Sequence, residues 1–303
     1  MAEKKSMGDW SRRDMLKGLA GIPVIGAVFW AGAAKASKLK GSREEILSTL
    51  NINASPPPDT GPMSGDPIRL GIIGFGIRGP QLCRALGFAT KSWISNMKEA
   101  ADRNPNDTRL QSLMEQENLN VKITAVCDLF DVRAQEAADS FSTDDVKVKI
   151  YNHHEELLKD KNVDAVVIAT ADHWHAPIAI AALEAGKHVY LEKPMTHNIA
   201  ETYALRDAVN RTGMVFQVGH QHRQTQSFVT AQDVIKKNIL GHVSLIQTNT
   251  NRNSDNGAWQ YPIHEKASPS TIDWNQFLGT APQIPFNAEH FFRWRKWWAY
   301  GSG

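Results

Sequence analysis

The run Ile68-Arg69-Leu70-Gly71-Ile72-Ile73 leads without a break into Gly74-Phe75-Gly76-Ile77-Arg78-Gly79, and this junction restricts the fold of the 303-residue chain most. A short β-rich apolar run reads as a buried strand. A G-x-G-x-x-G alone is also a plain turn; what gives it weight is the strand before it and the helix after it. Gly74 permits the tight turn, Gly76 lets the backbone approach a pyrophosphate, and Gly79 lets the helix pack close to its strand. The helix N-terminus, with Ile77 and Arg78 at its mouth, offers free N–H groups and partial positive charge to phosphates. A dinucleotide site is therefore expected here.

A second strand, Val121 to Cys127, ends at Asp128. An acid at this strand end holds ribose hydroxyls and selects NAD over NADP by repelling a 2′-phosphate. The usual gap from the glycine turn is about 20 residues. Asp128 lies 49 beyond Gly79, and a polar, helix-forming stretch from Phe88 to Asn120 accounts for the excess. Asp128 could instead cap the helix beginning near Val132, but Asp131 is better placed for that, which favours the ribose. Arg133 nearby leaves NADP open beside NAD.

The next units are more regular. Val163 to Ala169 is a near-continuous apolar strand, as a sheet covered on both faces requires. Pro177 and Gly186 bound the following helix. His188 to Leu191 is again strand, and Asn198-Ile199-Ala200-Glu201 is a capping box. Gly213 closes that helix, and Met214 to Val218 is strand. This alternation predicts an α/β fold: a doubly wound parallel-sheet (Rossmann) domain over 68–218, followed by an incomplete α+β second domain over 219–303. His153 and His154 read as surface at a helix entry.

Two strings are more specific: Ala169-Thr170-Ala171-Asp172-His173-Trp174-His175-Ala176-Pro177, and Ala185-Gly186-Lys187-His188-Val189-Tyr190-Leu191-Glu192-Lys193-Pro194. The second, with Glu-Lys-Pro at a strand end, resembles the Gfo/Idh/MocA family of glucose–fructose oxidoreductases, inositol dehydrogenases and related sugar enzymes. The resemblance runs from about Ile68 to Gly219 and is looser beyond. It implies that Gly74, Gly76, Gly79 and Asp128 bind cofactor, with Thr170, Asp172 and His173 near it. It also implies that Glu192, Lys193 and Pro194 form the family's Glu-Lys-Pro, with Lys193 beside the nicotinamide and the substrate carbinol and His175 as its loop histidine. The residues agree: a lysine at the C-terminal edge of a parallel sheet can be partly desolvated and act in proton transfer. Loop histidines such as His173 and His175 can equally serve only to hydrogen-bond backbone.

Downstream the pattern departs. The family completes its site with an Asp-x-x-x-His-like segment, which does not occur after Gly219, so the chain is expected to be the front portion of a longer polypeptide. After Gly219 the one convincing strand is Val243 to Thr250. Five of the nine tryptophans, Trp259, Trp274, Trp294, Trp297 and Trp298, lie in 219–303. With His220, Arg223, Asn251 and Arg252 they suit a sugar or polyol, though such rings serve equally as core. His220 and His222 are spaced i, i+2 with no further ligand string, so no metal site is expected.

The N-terminus reads as an address. Arg12-Arg13 precede an uncharged stretch of 17 residues, Gly18–Ala34, and a small-residue exit at Ala34-Lys35-Ala36. The arginine pair resembles a twin-arginine export signal. Residues 1–36 are thus read as a signal, with an uncleaved membrane anchor as the alternative, and 37–67, rich in proline, as a linker. The twin-arginine export machinery is an expected partner, the periplasm the expected location, and a homo-oligomer the expected state at full length. The formal charge of +2 argues against nucleic acid. Mean hydropathy of −0.38 excludes a polytopic membrane protein, and two cysteines exclude a disulfide scaffold. Together these point to an exported NAD(P)-dependent oxidoreductase for a sugar or polyol. The rivals are a redox-neutral NAD-dependent glycosidase, resembling α-N-acetylgalactosaminidases, and a non-catalytic binding protein.

Overall fold

The computed structural model describes residues 65–223, 225–249 and 257–302. The signal and most of the linker, together with Asn251 and Arg252, lie outside these residues. Six strands form one parallel sheet: β1 (Ile68–Ile73), β2 (Val121–Cys127), β3 (Lys149–Tyr151), β4 (Ala165–Ile168), β5 (His188–Glu192) and β6 (Phe216–Gly219). Their order is β3-β2-β1-β4-β5-β6, so the chain reverses direction across the sheet between β1 and β4. A crevice opens at that reversal beyond the strand ends, and ligands of such sheets bind there.

The apolar runs are continuous because both faces are covered. On one face Leu157, Ile178, Ala182, Leu183, Leu205 and Ala208 pack against Ile73, Ile168 and Leu191. On the other, Leu82, Cys83, Ala137 and Phe141 pack against Ile72, Ile123 and Val126. Helix α1 (Arg78–Ala85) follows the glycine turn. The insertion forms two helices, α2 (Lys91–Arg103) and α3 (Arg109–Met114). Helix α4 (Asp131–Phe141) has no side-chain cap, so the capping expected of Asp131 is not made. Helices α5 (His154–Leu158), α6 (His175–Glu184) and α7 (Ile199–Thr212) complete the layers. The expected capping box is present: Asn198 accepts from the Glu201 N–H at 3.0 Å, and Glu201 accepts from the His197 N–H at 2.7 Å.

Two expectations change. Residues 243–249, expected as strand, are exposed and pair with no strand among the described residues; without a ladder an extended segment is not a strand. Residues 257–302, expected in the second domain, pack with the sheet's own loops. Their helices α9 (Trp274–Leu278) and α10 (Ala288–Phe292) supply Trp274, Phe277, Leu278, Phe291 and Phe292 to a third core with Phe130 and Ala171. Phe291, Phe292 and Tyr300 of the aromatic run are thus buried against the Rossmann unit and Trp294 and Trp297 pack partly on it, whereas Trp298 is exposed. Residues 222–247 belong to a separate compact unit, built on helix α8 (Gln226–Lys236).

Candidate active site

A cavity of about 420 Å³ lies at the sheet reversal, between the glycine turn, the β4 and β5 loops and the segment 257–302. Its floor is the glycine turn. Gly74 has φ +88°, and a Cβ there would meet the Ala169 carbonyl oxygen at 2.7 Å. A Cβ on Gly79 would lie 2.4 Å from the Gly74 oxygen. Gly76 differs: the nearest atom to its Cβ position is an Arg133 guanidinium nitrogen at 3.4 Å, so its free face is toward the cavity. No side chain caps α1 and no acid sits in its first turn, so its N–H groups remain for an anion.

Asp128 is buried at the end of β2. Its carboxylate accepts the Phe75 N–H at 2.5 Å and the Phe130 N–H at 2.9 Å, tying the glycine turn to the β2 loop. Burial raises its pKa, against the Arg133 guanidinium and these N–H donors. It does not cap α4 through its side chain, and it lines the cavity with Arg133. The Arg133 guanidinium rests 4.9 Å over the Phe292 ring.

Glu192 and Lys193 close β5. Glu192 is buried and accepts from Arg78 Nε at 2.7 Å, so the Glu-Lys-Pro loop is braced on the first residue of α1. Its other oxygen accepts from the Lys193 N–H and from Gln221 Nε2. The Lys193–Pro194 peptide is cis. Lys193 is exposed at the cavity rather than desolvated as expected, because its side chain extends past the strand edge into the open space.

The histidines sort differently from expectation. His175 is 1% exposed, with Nδ1 2.6 Å from the Pro194 oxygen and Nε2 3.2 Å from the Thr170 oxygen. Burial lowers its pKa. Both ring nitrogens face backbone carbonyls; the neutral ring has one N–H, and the shorter contact, at Nδ1, is to the Pro194 oxygen, so His175 holds the Pro194 loop while its ring also lines the cavity. His173 Nε2 contacts the Phe277 oxygen at 2.8 Å, and Asp172 accepts the Ser302 N–H at 2.9 Å. Neither lines the cavity; Thr170 and Ala171 do. His154, expected at the surface, is 6% exposed, ring-stacked on His153 and edge-on to Trp174, because α5 turns it inward against the β4 loop. Burial first, then the His153 imidazole, brings its pKa down to about 4.

Of the expected substrate set, His220, Arg223, Asn251 and Arg252, only His220 and Arg223 are among the described residues. His220 is exposed beyond β6 and does not line the cavity, whereas its neighbour Gln221 does. Arg223 is exposed and belongs to the other unit. The wall is instead aromatic and cationic, from Trp259, Tyr261, Phe291, Trp294 and Arg295. Trp274, by contrast, is core, its indole N–H donating to the Ile284 oxygen.

Acids lining the cavity are Asp128 and Glu192, against Arg78, Arg133, Lys193 and Arg295, an excess of positive charge beside an uncapped helix. The glycine cradle, with Arg78 and Arg133 beside it, fits a dinucleotide, and the size of the cavity allows one. Residues 68–220 match the oxidoreductase family described by its NAD-binding Rossmann fold. The chain belongs to the Gfo/Idh/MocA family. Among its members, inositol 2-dehydrogenase of Salmonella typhimurium is 32% identical over 127 residues, 42% of this chain and 37% of that one. Levoglucosan dehydrogenase of Pseudarthrobacter phenanthrenivorans is 38% identical over 87 residues, 29% of this chain and 22% of that one. The solved structure of myo-inositol dehydrogenase from Lactobacillus casei with NAD(H) and myo-inositol aligns at 20% identity and a TM-score of 0.44, over 58% of this chain and 43% of that one. The chain spans about two fifths of the length of the inositol dehydrogenases it matches. The family motifs mark the glycine turn and Lys193, but they carry no signal for the wall from 257–302. The aromatic run at 291–300 was the clue to burial there.

Proposed function

We propose that this chain carries the cofactor-binding and proton-transfer part of an NAD(P)-dependent oxidoreductase for a sugar or polyol. The observation behind this is one cavity that holds both the glycine cradle and Lys193, joined by the Arg78–Glu192 ion pair. The names of the inositol and levoglucosan dehydrogenases support the substrate class. Bound NAD supplies the hydride acceptor. The glycine turn and the α1 N-terminus hold its pyrophosphate, and Asp128, with lone pairs left beside its two backbone bonds, takes the ribose hydroxyls. Lys193 receives the proton from the carbinol oxygen. His175 contributes through position, by fixing the Pro194 carbonyl. No observation in the site favours glycoside cleavage over this reading.

The same reading includes export. Arg12-Arg13 and the uncharged run to Ala34 support passage through the twin-arginine machinery to the periplasm, a route for folded proteins that allows cofactor to be inserted first. The catalytic part is tested by Lys193→Met in the full chain. NAD affinity should be unchanged while kcat falls about 10²–10⁴-fold. Turnover within about threefold of the parent, with NAD still bound, places the chemistry elsewhere.

A further inference from the structure

Three cations stand close together at the end of the chain, and two of them are engaged. Arg293 donates to the Tyr261 oxygen at 2.8 Å and to Glu289 at 3.0 Å. Lys296 donates to Glu289 at 2.9 Å and to Gln260 Oε1 at 3.1 Å. Arg295 between them lines the cavity, and among the described residues it meets no carboxylate and no hydrogen-bond acceptor. Its guanidinium carbon lies 4.0 Å over the Trp294 ring and 5.3 Å over that of Trp259. Stacking on indole leaves a guanidinium its planar edge of N–H donors, which matches the two oxygens of a carboxylate or phosphate.

The surroundings hold that arrangement in place. Segment 259–261 is tied to 293–296 at three points: Tyr261 to Arg293, Gln260 to Lys296 and Trp259 to Arg295. Trp259 has φ +63°, a conformation that costs a bulky residue about 1–3 kcal/mol and persists only where neighbours fix it. Neither of the cavity's two acids is paired with Arg295 among the described residues: Glu192 pairs with Arg78, and Asp128 accepts the Phe75 and Phe130 N–H groups.

Backbone contacts join Arg295 to the Lys193 loop. A Cβ built on Gly301 would lie 3.2 Å from the Trp294 ring and 3.3 Å from the Arg295 Cα. The Gly301 oxygen in turn is 3.2 Å from His197 Nε2, in the loop that Lys193 opens. Arg295 is therefore carried on backbone joined to the Lys193 loop, whereas Arg133 stands beside Gly76 and Asp128. We propose that Arg295 is the anchor of an oxyanion site, and that its ligand is the carboxylate of an acidic sugar, an aldonate or uronate, presented to Lys193. This rests on the dehydrogenase reading above and narrows its substrate class.

The test uses matched pairs that differ only in charge: D-gluconate against D-glucitol, and D-glucuronate against D-glucose. Each is titrated into the NAD-loaded full chain while tryptophan emission is followed, since Trp259 and Trp294 flank the site. Each acid should bind at least about tenfold tighter than its neutral twin, the order of one charge-assisted bidentate contact. Arg295→Gln should abolish the preference, and Arg295→Lys, which keeps charge but not the fork, should retain part of it. Affinity for NAD should be unchanged in both variants. Equal binding within each pair, or no binding of either acid, overturns the proposal. So does an Arg295→Gln variant that loses NAD or NADP tenfold, because that assigns the guanidinium to a cofactor phosphate. A chain that binds no NAD yet prefers the acids sinks the dehydrogenase reading and leaves the oxyanion site standing.

Discussion

Gly76 and Gly79 belong to one motif but face different neighbours, so alanine at each should do different things. At Gly79 the new Cβ would sit 2.4 Å from the Gly74 oxygen and 3.4 Å from the Phe75 ring. The first is a backbone atom of a turn already fixed by the Gly74 N–H to Cys127 oxygen bond at 2.8 Å, so α1 must shift away from β1. Overpacking of this kind costs about 1–3 kcal/mol, and it should weaken both stability and NAD binding. At Gly76 the nearest atom is 3.4 Å away on a flexible arginine, and φ is not positive, so alanine fits. Stability should be unchanged or about 0.4–1 kcal/mol higher, through loss of unfolded-state freedom. Yet the methyl projects where a pyrophosphate must approach, and NAD affinity should fall at least about tenfold, about 1.4 kcal/mol. Gly186→Ala is the control: φ is +71° with no atom within 4 Å, so it should cost about 1–2 kcal/mol of stability and nothing in binding. Urea unfolding and NAD titration on the three variants give the pattern. A Gly76→Ala chain that binds NAD like the parent refutes the assignment of this turn to the pyrophosphate.

Asp128→Ala should weaken NAD more than NADP; a preserved ratio of affinities would leave Asp128 only its backbone bonds. The same change orphans the Phe75 and Phe130 N–H groups, and should lower unfolding free energy by about 1–3 kcal/mol for each donor left dry. His154 has a folded pKa near 4 against 6.5 ordinarily, so the unfolded chain takes up the proton first. Stability should hold above pH of about 6.5 and fall toward pH 4, by up to about 3 kcal/mol from this group. His154→Phe should flatten part of that fall in urea titrations at several pH values, while the lowered pKa values of His173 and His175 keep the remainder. Arg12→Lys with Arg13→Lys should retain the protein in the cytoplasm, measured by fractionation; undiminished secretion would assign the signal to another route.

The residues from Ile68 to Gly219 largely announce their own structure, because each signal there is local. A buried parallel strand must be apolar throughout, a turn that crosses a phosphate site needs glycine, and a helix start needs a cap, so β1, β2, β4, β5 and β6 are legible without contacts. The edge strand β3 escaped notice, since three residues make no periodic signal. Family motifs added Lys193 and Glu192, whose spacing alone does not reveal a role. Side-chain direction was beyond reach of the sequence. His175 and Lys193 come from equally suggestive strings and both line the cavity, but only packing buries the one against the Pro194 and Thr170 carbonyls and leaves the other exposed. The wall from 257–302 was least accessible of all. Trp259, Phe291 and Arg295 lie 126, 158 and 162 residues from Arg133, and farther still from the glycine turn. Nothing in local composition separates a ring that lines a site, as Trp294 does, from one that fills a core, as Trp274 does. That distinction is made by which surface the returning chain meets, and long-range packing alone decides it.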